Sequence, residues 1–149
     1  MKKPTTADAE LILKLYDLRR EAVMRKARDS VAFFWPQSAE EVVQLAMNFG
    51  SEQNAYFRQV VSYWEMAASF VLKGALNEEL FMESAGEMLF VFAKLHPYLR
   101  ELRTRLDAPE FFSRVEQLLN RSKSGKQKLK ATIERVQKIG EMRRQAAAK

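Results

Sequence analysis

The sequence predicts an all-α fold, an irregular antiparallel bundle of five or six helices plus a basic C-terminal helix. Three observations predict it. Apolar residues recur at the three-and-four spacing of a helix face. Ser, Thr and Asn caps, with Gly and Pro stops, punctuate the chain at helix-length intervals. No stretch reads as a strand or as an internal repeat. A length of 149 residues fits one domain with a core of its own, and sixteen aromatics against five Gly and four Pro argue against disorder.

Thr5 and Asp8 form a capping box, in which a hydroxyl accepts an early backbone N–H and a carboxylate reaches back. Leu11, Leu15, Leu18 and Ala22 then share one face of a first helix that runs to about Arg28 and on toward Phe34. Trp35-Pro36 ends it, because proline disfavours helical backbone in the residue before it. Ser38 with Glu41 opens a short helix through Phe49, and Gly50 is placed to close it in a left-handed conformation. Ser51 caps a longer helix ending at Gly74. Phe57, Val60, Val61, Trp64, Ala67, Ala68 and Val71 make it apolar on most sides, which marks it as the central helix.

Asn77 caps the next helix, with Phe81, Ala85, Met88, Leu89, Phe92 and Leu95 inward. Glu79, Glu83, Glu87 and Lys94 fall on its outer side. His96-Pro97 marks a kink, followed by a segment through Tyr98, Leu102 and Leu106. Asp107-Ala108-Pro109 restarts the chain, and Phe111, Phe112, Val115, Leu118 and Leu119 form a further stripe. Ser122-Lys123-Ser124-Gly125 reads as a linker. It divides residues 1–120, the helical bundle, from residues 121–149, a basic helix or tail with a seam of Leu129, Ile133 and Val136.

Charge follows that division. Residues 121–149 hold ten Lys/Arg against Glu134 and Glu141, a net of +8, while the preceding residues balance to −2. One reading makes the segment an electrostatic arm for nucleic acid, with Lys123, Lys126, Lys128, Lys130, Arg135, Lys138, Arg143 and Arg144 as contacts. A second lays it on an anionic membrane surface. No aromatic follows Phe112 to stack on bases or anchor at an interface, so a solvated helix without a specific partner is favoured over both.

Much chemistry is excluded. The absence of cysteine removes disulfides, thiolate nucleophiles and cysteine metal sites. A di-metal bundle expects two Glu-x-x-His motifs, and the single His96 is preceded at that spacing by Ala93. No phosphate-binding glycine loop occurs, Ser124-Gly125-Lys126 lacking the earlier glycine, and no catalytic triad spacing is present. Glu79, Glu83 and Glu87 read as a wet helix face. No cofactor is expected, and enzymatic activity is the lesser expectation. The longest apolar run, Met88 to Ala93, falls short of a membrane span, and the charged start is not followed by a signal-peptide core, so a cytoplasmic location is expected.

Three candidate sites remain. Arg58, Ser62, Glu65 and Ser69 share a narrow polar stripe on the most apolar helix, where a buried Glu65 needs a partner. A structural ion pair or solvent is the favoured fate for it, and a small-ligand or enzymatic site around Glu65 and His96 the sharper one. Phe33, Phe34 and Trp35 form an aromatic cluster that closes the protein's own core or anchors an interface.

The stretch Ser62-Tyr63-Trp64-Glu65-Met66-Ala67 through Lys73-Gly74-Ala75-Leu76-Asn77-Glu78-Glu79-Leu80 pairs an aromatic-Glu dipeptide in one helix with a Gly turn and an Asn cap. It resembles an uncharacterised family of small bacterial helical domains, some of them membrane-anchored, over about residues 8 to 120. Nothing before residue 8 matches such an anchor. The resemblance implies a helical fold and no activity. The leading expectation is therefore a non-enzymatic protein-interaction module, self-associating or with another protein. Nucleic-acid association through the basic segment stands second.

Overall fold

The computed structural model describes residues 2–149, and every regular element among them is helical. In chain order these are α1 (Thr6–Arg20), α2 (Ala22–Phe33), α3 (Ala39–Met47), α4 (Glu52–Leu72), α5 (Glu78–Met82), α6 (Gly86–Leu95), a 3-10 turn (His96–Tyr98), α7 (Leu99–Arg105), α8 (Ser113–Asn120) and α9 (Lys123–Ala147). The chain is an all-α bundle closed by a long basic helix.

Local chemistry sets most helix starts. Thr5 and Asp8 complete the capping box in both directions. Ser38, Ser51 and Asn77 each accept a backbone N–H from the first turn of α3, α4 and α5. Gly74, at φ +78°, turns the chain sharply after α4, where a side chain would strain the backbone.

The core is built around α4, which packs on α2, α3 and α8. Trp64, Phe57, Val60, Ala67, Ala68 and Val71 are almost wholly buried, and each large side chain contributes about 1.5–3 kcal/mol by leaving water. Phe81, Met88 and Phe92 meet them from α5 and α6, and Phe112, Val115, Leu118 and Leu119 from α8 and the loop before it. The Tyr63 hydroxyl donates to the Leu15 carbonyl and ties α1 to the centre. Burial pushes that phenol up to about 12.

Several elements differ from the sequence expectation. The first helix breaks at Glu21, whose extended backbone and carboxylate cap α2 by accepting from the Val23 and Met24 N–H groups. Leu18, expected inward, is half-exposed beside this elbow. The Asn77 helix divides into α5 and α6, so Glu79, Glu83 and Glu87 do not share one face. Glu79 and Glu83 meet solvent, while Glu87 turns inward to accept from Arg28 Nε at 2.7 Å and Trp64 Nε1 at 3.2 Å. The stripe at Phe111 and Phe112 is not yet helical: Phe112 is buried with φ +58°, and α8 begins after it. Residues 122–125 are no linker. Ser122 caps α9 through the Gly125 N–H, and Gly125 packs in the first turn against the Leu119 carbonyl.

The basic segment is thus a helix docked on α6 and α8. Leu129 and Val136 are buried and Ile133 is partly buried along the docked side.

Candidate functional site

Glu65 is bound up in structure. Its carboxylate accepts the Val115 N–H at 2.9 Å and the Arg114 N–H at 3.3 Å, the second and third residues of α8, with the Arg114 guanidinium 3.8 Å away. Phe112, in the N-cap position of α8, has no side-chain oxygen to offer. A glutamate from α4 therefore caps α8, satisfying two orphan donors and placing negative charge at the positive helix end. The rest of the stripe bonds locally. Ser62 Oγ donates to the Gln59 carbonyl and Ser69 Oγ to the Met66 carbonyl. Arg58 Nε donates to Asn54 Oδ1 at 2.9 Å. Asn54, fully buried, in turn closes α3 by donating to the Leu45 and Ala46 carbonyls.

Arg58, Ser62 and Glu65 nonetheless line one wall of an open groove of about 740 Å³. Its floor is apolar, with Phe57 stacked on Phe111 at 6.2 Å between ring centres, and with Ala46 and Leu106 beside them. Phe49, 73% exposed, stands at one margin and Glu110 at another. A smaller groove of about 300 Å³ adjoins it, sharing Phe57 and reaching Phe34 and Phe33. Phe33 is also 73% exposed.

The aromatic cluster is accordingly divided. Phe33 projects into solvent instead of closing the core, Phe34 packs partly against it, and Trp35 turns to the opposite side onto Phe90, 5.8 Å away edge-on. The extended backbone at Phe34 sends Phe34 and Trp35 to different sides, and Phe33 and Trp35 line one recess with Arg143 and Arg144. His96 is exposed, its ring 5.8 Å from that of Phe92, and it does not line the groove with Glu65. Ser69 likewise lies outside it.

Over residues 4–122 the chain matches the family described as a domain of unknown function, DUF4760. The chain belongs to that family. The resemblance read from the aromatic-Glu pair and the Asn cap falls inside the match. No curated protein and no solved structure matches the chain. Both grooves of this DUF4760 domain are built from matched residues, whereas α9 lies just beyond the match.

Sequence periodicity missed the most buried charge in the DUF4760 domain. Lys94, expected on the outer face, is only 5% exposed. Its Nζ donates to the carbonyls of Val31 and, at 2.9 Å, Phe34, closing the C-terminal end of α2. The rings of Trp35 and Phe90 flank the ammonium at 5.2 and 5.5 Å. Burial, and then the Arg143 guanidinium, lower the Lys94 ammonium from 10.5 to about 8. Arg143 lies over Trp35 at 5.3 Å, so α9 covers this corner. No local signal marks a lysine that caps a helix more than fifty residues away.

All eight candidate nucleic-acid contacts, Lys123, Lys126, Lys128, Lys130, Arg135, Lys138, Arg143 and Arg144, are exposed on α9. Among the described residues no helix is long and apolar enough to cross a membrane.

Proposed function

We propose that this DUF4760 chain is a protein-interaction module whose partner is a second copy of itself. The observation that carries the reading is that one face holds both projections and recesses. Phe33 and Phe49 protrude beside two grooves that meet at Phe57. Large exposed aromatics next to apolar recesses are the usual anchors of an interface. A two-fold axis lets each copy seat its rings in the other's recesses, the self-complementary arrangement of an isologous dimer. The charges suit the same symmetry, because Arg58 and Glu110 line one groove with opposite signs and face their counterparts across the axis.

Four newly buried rings contribute about 6–8 kcal/mol together, and the groove walls they cover add a comparable apolar burial, part of which offsets the entropy of association. A weak dimer, with a Kd of about 100 μM, is expected. Sedimentation of the full chain from about 5 to 500 μM tests this, beside a Phe33→Ser/Phe49→Ser double variant that alters only exposed positions. Salt-resistant dimerisation, lost in the variant without change in helical content or melting, supports the proposal. A monomer at the highest concentration, or a dimer indifferent to the variant, overturns it.

A further inference from the structure

By sequence position alone, the basic residues of α9 spread around the helix without forming a stripe. Docking resolves this. At 100° per residue, Gly125, Leu129, Ile133, Val136 and Gly140 fall within one narrow arc, and this arc is turned to the body: Gly125, Leu129 and Val136 are buried, and a Cβ at Gly140 would meet the Trp35 ring at 3.9 Å. What α9 presents to solvent is the remaining arc, and its charge is mostly positive. A helix of 25 residues is about 37 Å long, close to one turn of a nucleic-acid duplex.

We propose that the outer face of α9 binds the phosphate backbone of a nucleic-acid duplex. A membrane surface is the poorer fit. An interfacial helix must bury an apolar face in lipid, and the apolar seam of α9 is already spent on α6 and α8. Single strands fit less well too, because they are held by stacking on aromatic side chains. None occurs in α9; Trp35 is partly buried among Phe90, Lys94 and Arg143, and the exposed Phe33 stands only at the far end of the helix, beside Arg143 and Arg144. Rigid positive charge without stacking platforms along Lys130, Arg135 and Lys138 matches the sequence-independent recognition of a duplex backbone.

The contact is polarised along α9. At its start, Glu78 pairs with Arg121, and Glu79 and Glu83 share a groove with Lys128. These acids offset the first turns, so Lys130, Arg135 and Lys138 carry the contact, against Glu134 and Glu141, and Arg144 flanks it from the edge of the docked arc beside Gly140. The two surfaces meet at the end of α9, where Phe33 lines a recess with Arg143 and Arg144, but Lys130 and Lys138 lie outside it, so their reversal tests the duplex contact alone.

The test is fluorescence anisotropy of labelled 24-base-pair DNA and RNA duplexes with the full chain at several salt concentrations. Four neutralised phosphates give a slope of log K against log salt near −3.6, so affinity falls about 150-fold from 50 to 200 mM salt. The Lys130→Glu/Lys138→Glu variant is expected to bind at least ten-fold more weakly with unchanged melting. Lys14→Glu, an exposed reversal on α1, is expected to bind as the parent does. Binding of either duplex with this pattern supports the proposal, and the DNA and RNA arms show which duplex is preferred. The absence of duplex binding at 50 mM salt overturns it. So does equal weakening by Lys14→Glu, tighter binding to a single strand, or tighter binding to phosphatidylglycerol vesicles.

Discussion

Lys94 offers the sharpest test of how the domain holds its helices. Replacing it with Met keeps an unbranched apolar stem but removes the donors to the Val31 and Phe34 carbonyls at the end of α2. The Phe34 carbonyl is left without a partner and the Val31 carbonyl keeps only the Phe34 N–H, which together cost about 2–3 kcal/mol, and relief from burying an ammonium returns part of it. A net loss of about 1–2 kcal/mol is expected at pH 7. The pH dependence discriminates more strongly. In the folded protein the ammonium titrates near 8, against 10.5 ordinarily. Between those values the unfolded chain binds more protons than the folded one, so the stability of the parent protein rises with pH. From pH 7 to 9.5 this linkage amounts to about 2 kcal/mol. The neutral amine keeps two N–H donors, so the cap survives the titration. Urea unfolding followed by circular dichroism, for parent and Lys94→Met at each pH, reads the difference directly and cancels other titrating groups. Tyr63 is among these. Its raised value, about 12, acts with the opposite sign above pH 10. The gap between the two proteins is expected to widen by about 2 kcal/mol over the window. A gap that stays flat or narrows refutes the reasoning.

Substitutions at three further positions probe the other joints. Glu65→Ala removes the cap from α8 and is expected to cost about 1–2 kcal/mol, while Glu65→Gln, which keeps an acceptor oxygen, costs less than half of that. Urea midpoints together with amide exchange in α8 check this, and unaltered exchange in Glu65→Ala would sink it. Gly125→Ala reverses the usual helix preference. Alanine is the better helix former by about 1 kcal/mol, yet a Cβ there meets the Leu119 carbonyl oxygen at 2.5 Å. A loss of about 1–3 kcal/mol is expected. Gly140→Ala, whose Cβ finds its nearest neighbours at 3.9 Å, is expected to gain about 0.5–1 kcal/mol. If thermal melting shows both substitutions stabilising, the close α8–α9 joint is not as described.

Sequence legibility tracks the range of each signal. Thr5, Ser38, Ser51 and Asn77 were readable as caps because each bonds a backbone N–H three residues ahead. The inward set of the Asn77 helix was also readable, since Phe81, Met88 and Phe92 are buried as their spacing requires. Periodicity failed wherever continuity was assumed. Glu21 is a poor cap by preference, so the elbow between α1 and α2 carried no warning. The break before α6 then turned Glu87 inward and left Glu79 outside. The stripe containing Glu65 was visible as a stripe, but its partner, the start of α8, lies fifty residues on. Phe111 and Phe112 read as helix because their apolar spacing is right, and nothing local announces a left-handed Phe112.

Four polar residues share one physical role. Glu65 from α4 closes the start of α8, Asn54 from α4 closes the end of α3, and Lys94 from α6 closes the end of α2. Asp8, beyond its own capping box, accepts the Asn77 N–H at the head of α5, and hydrogen bonds from the Thr5 hydroxyl and backbone and then from Asn77 hold its carboxyl below the usual range. Polar groups on apolar helices therefore suggest a hidden active site in sequence, yet here they complete the backbone hydrogen bonding of neighbours. Short helices such as α5 and α8, with five and eight residues, are marginal alone. Capping by another element makes each one's formation depend on the rest of the fold, which favours a single cooperative unit. The same accounting locates function by subtraction. Side chains that cap, pair or pack are committed to the fold, whereas Phe33, Phe49 and the outer lysines of α9 lie exposed, outside those joints. They are where a partner gains the most by binding.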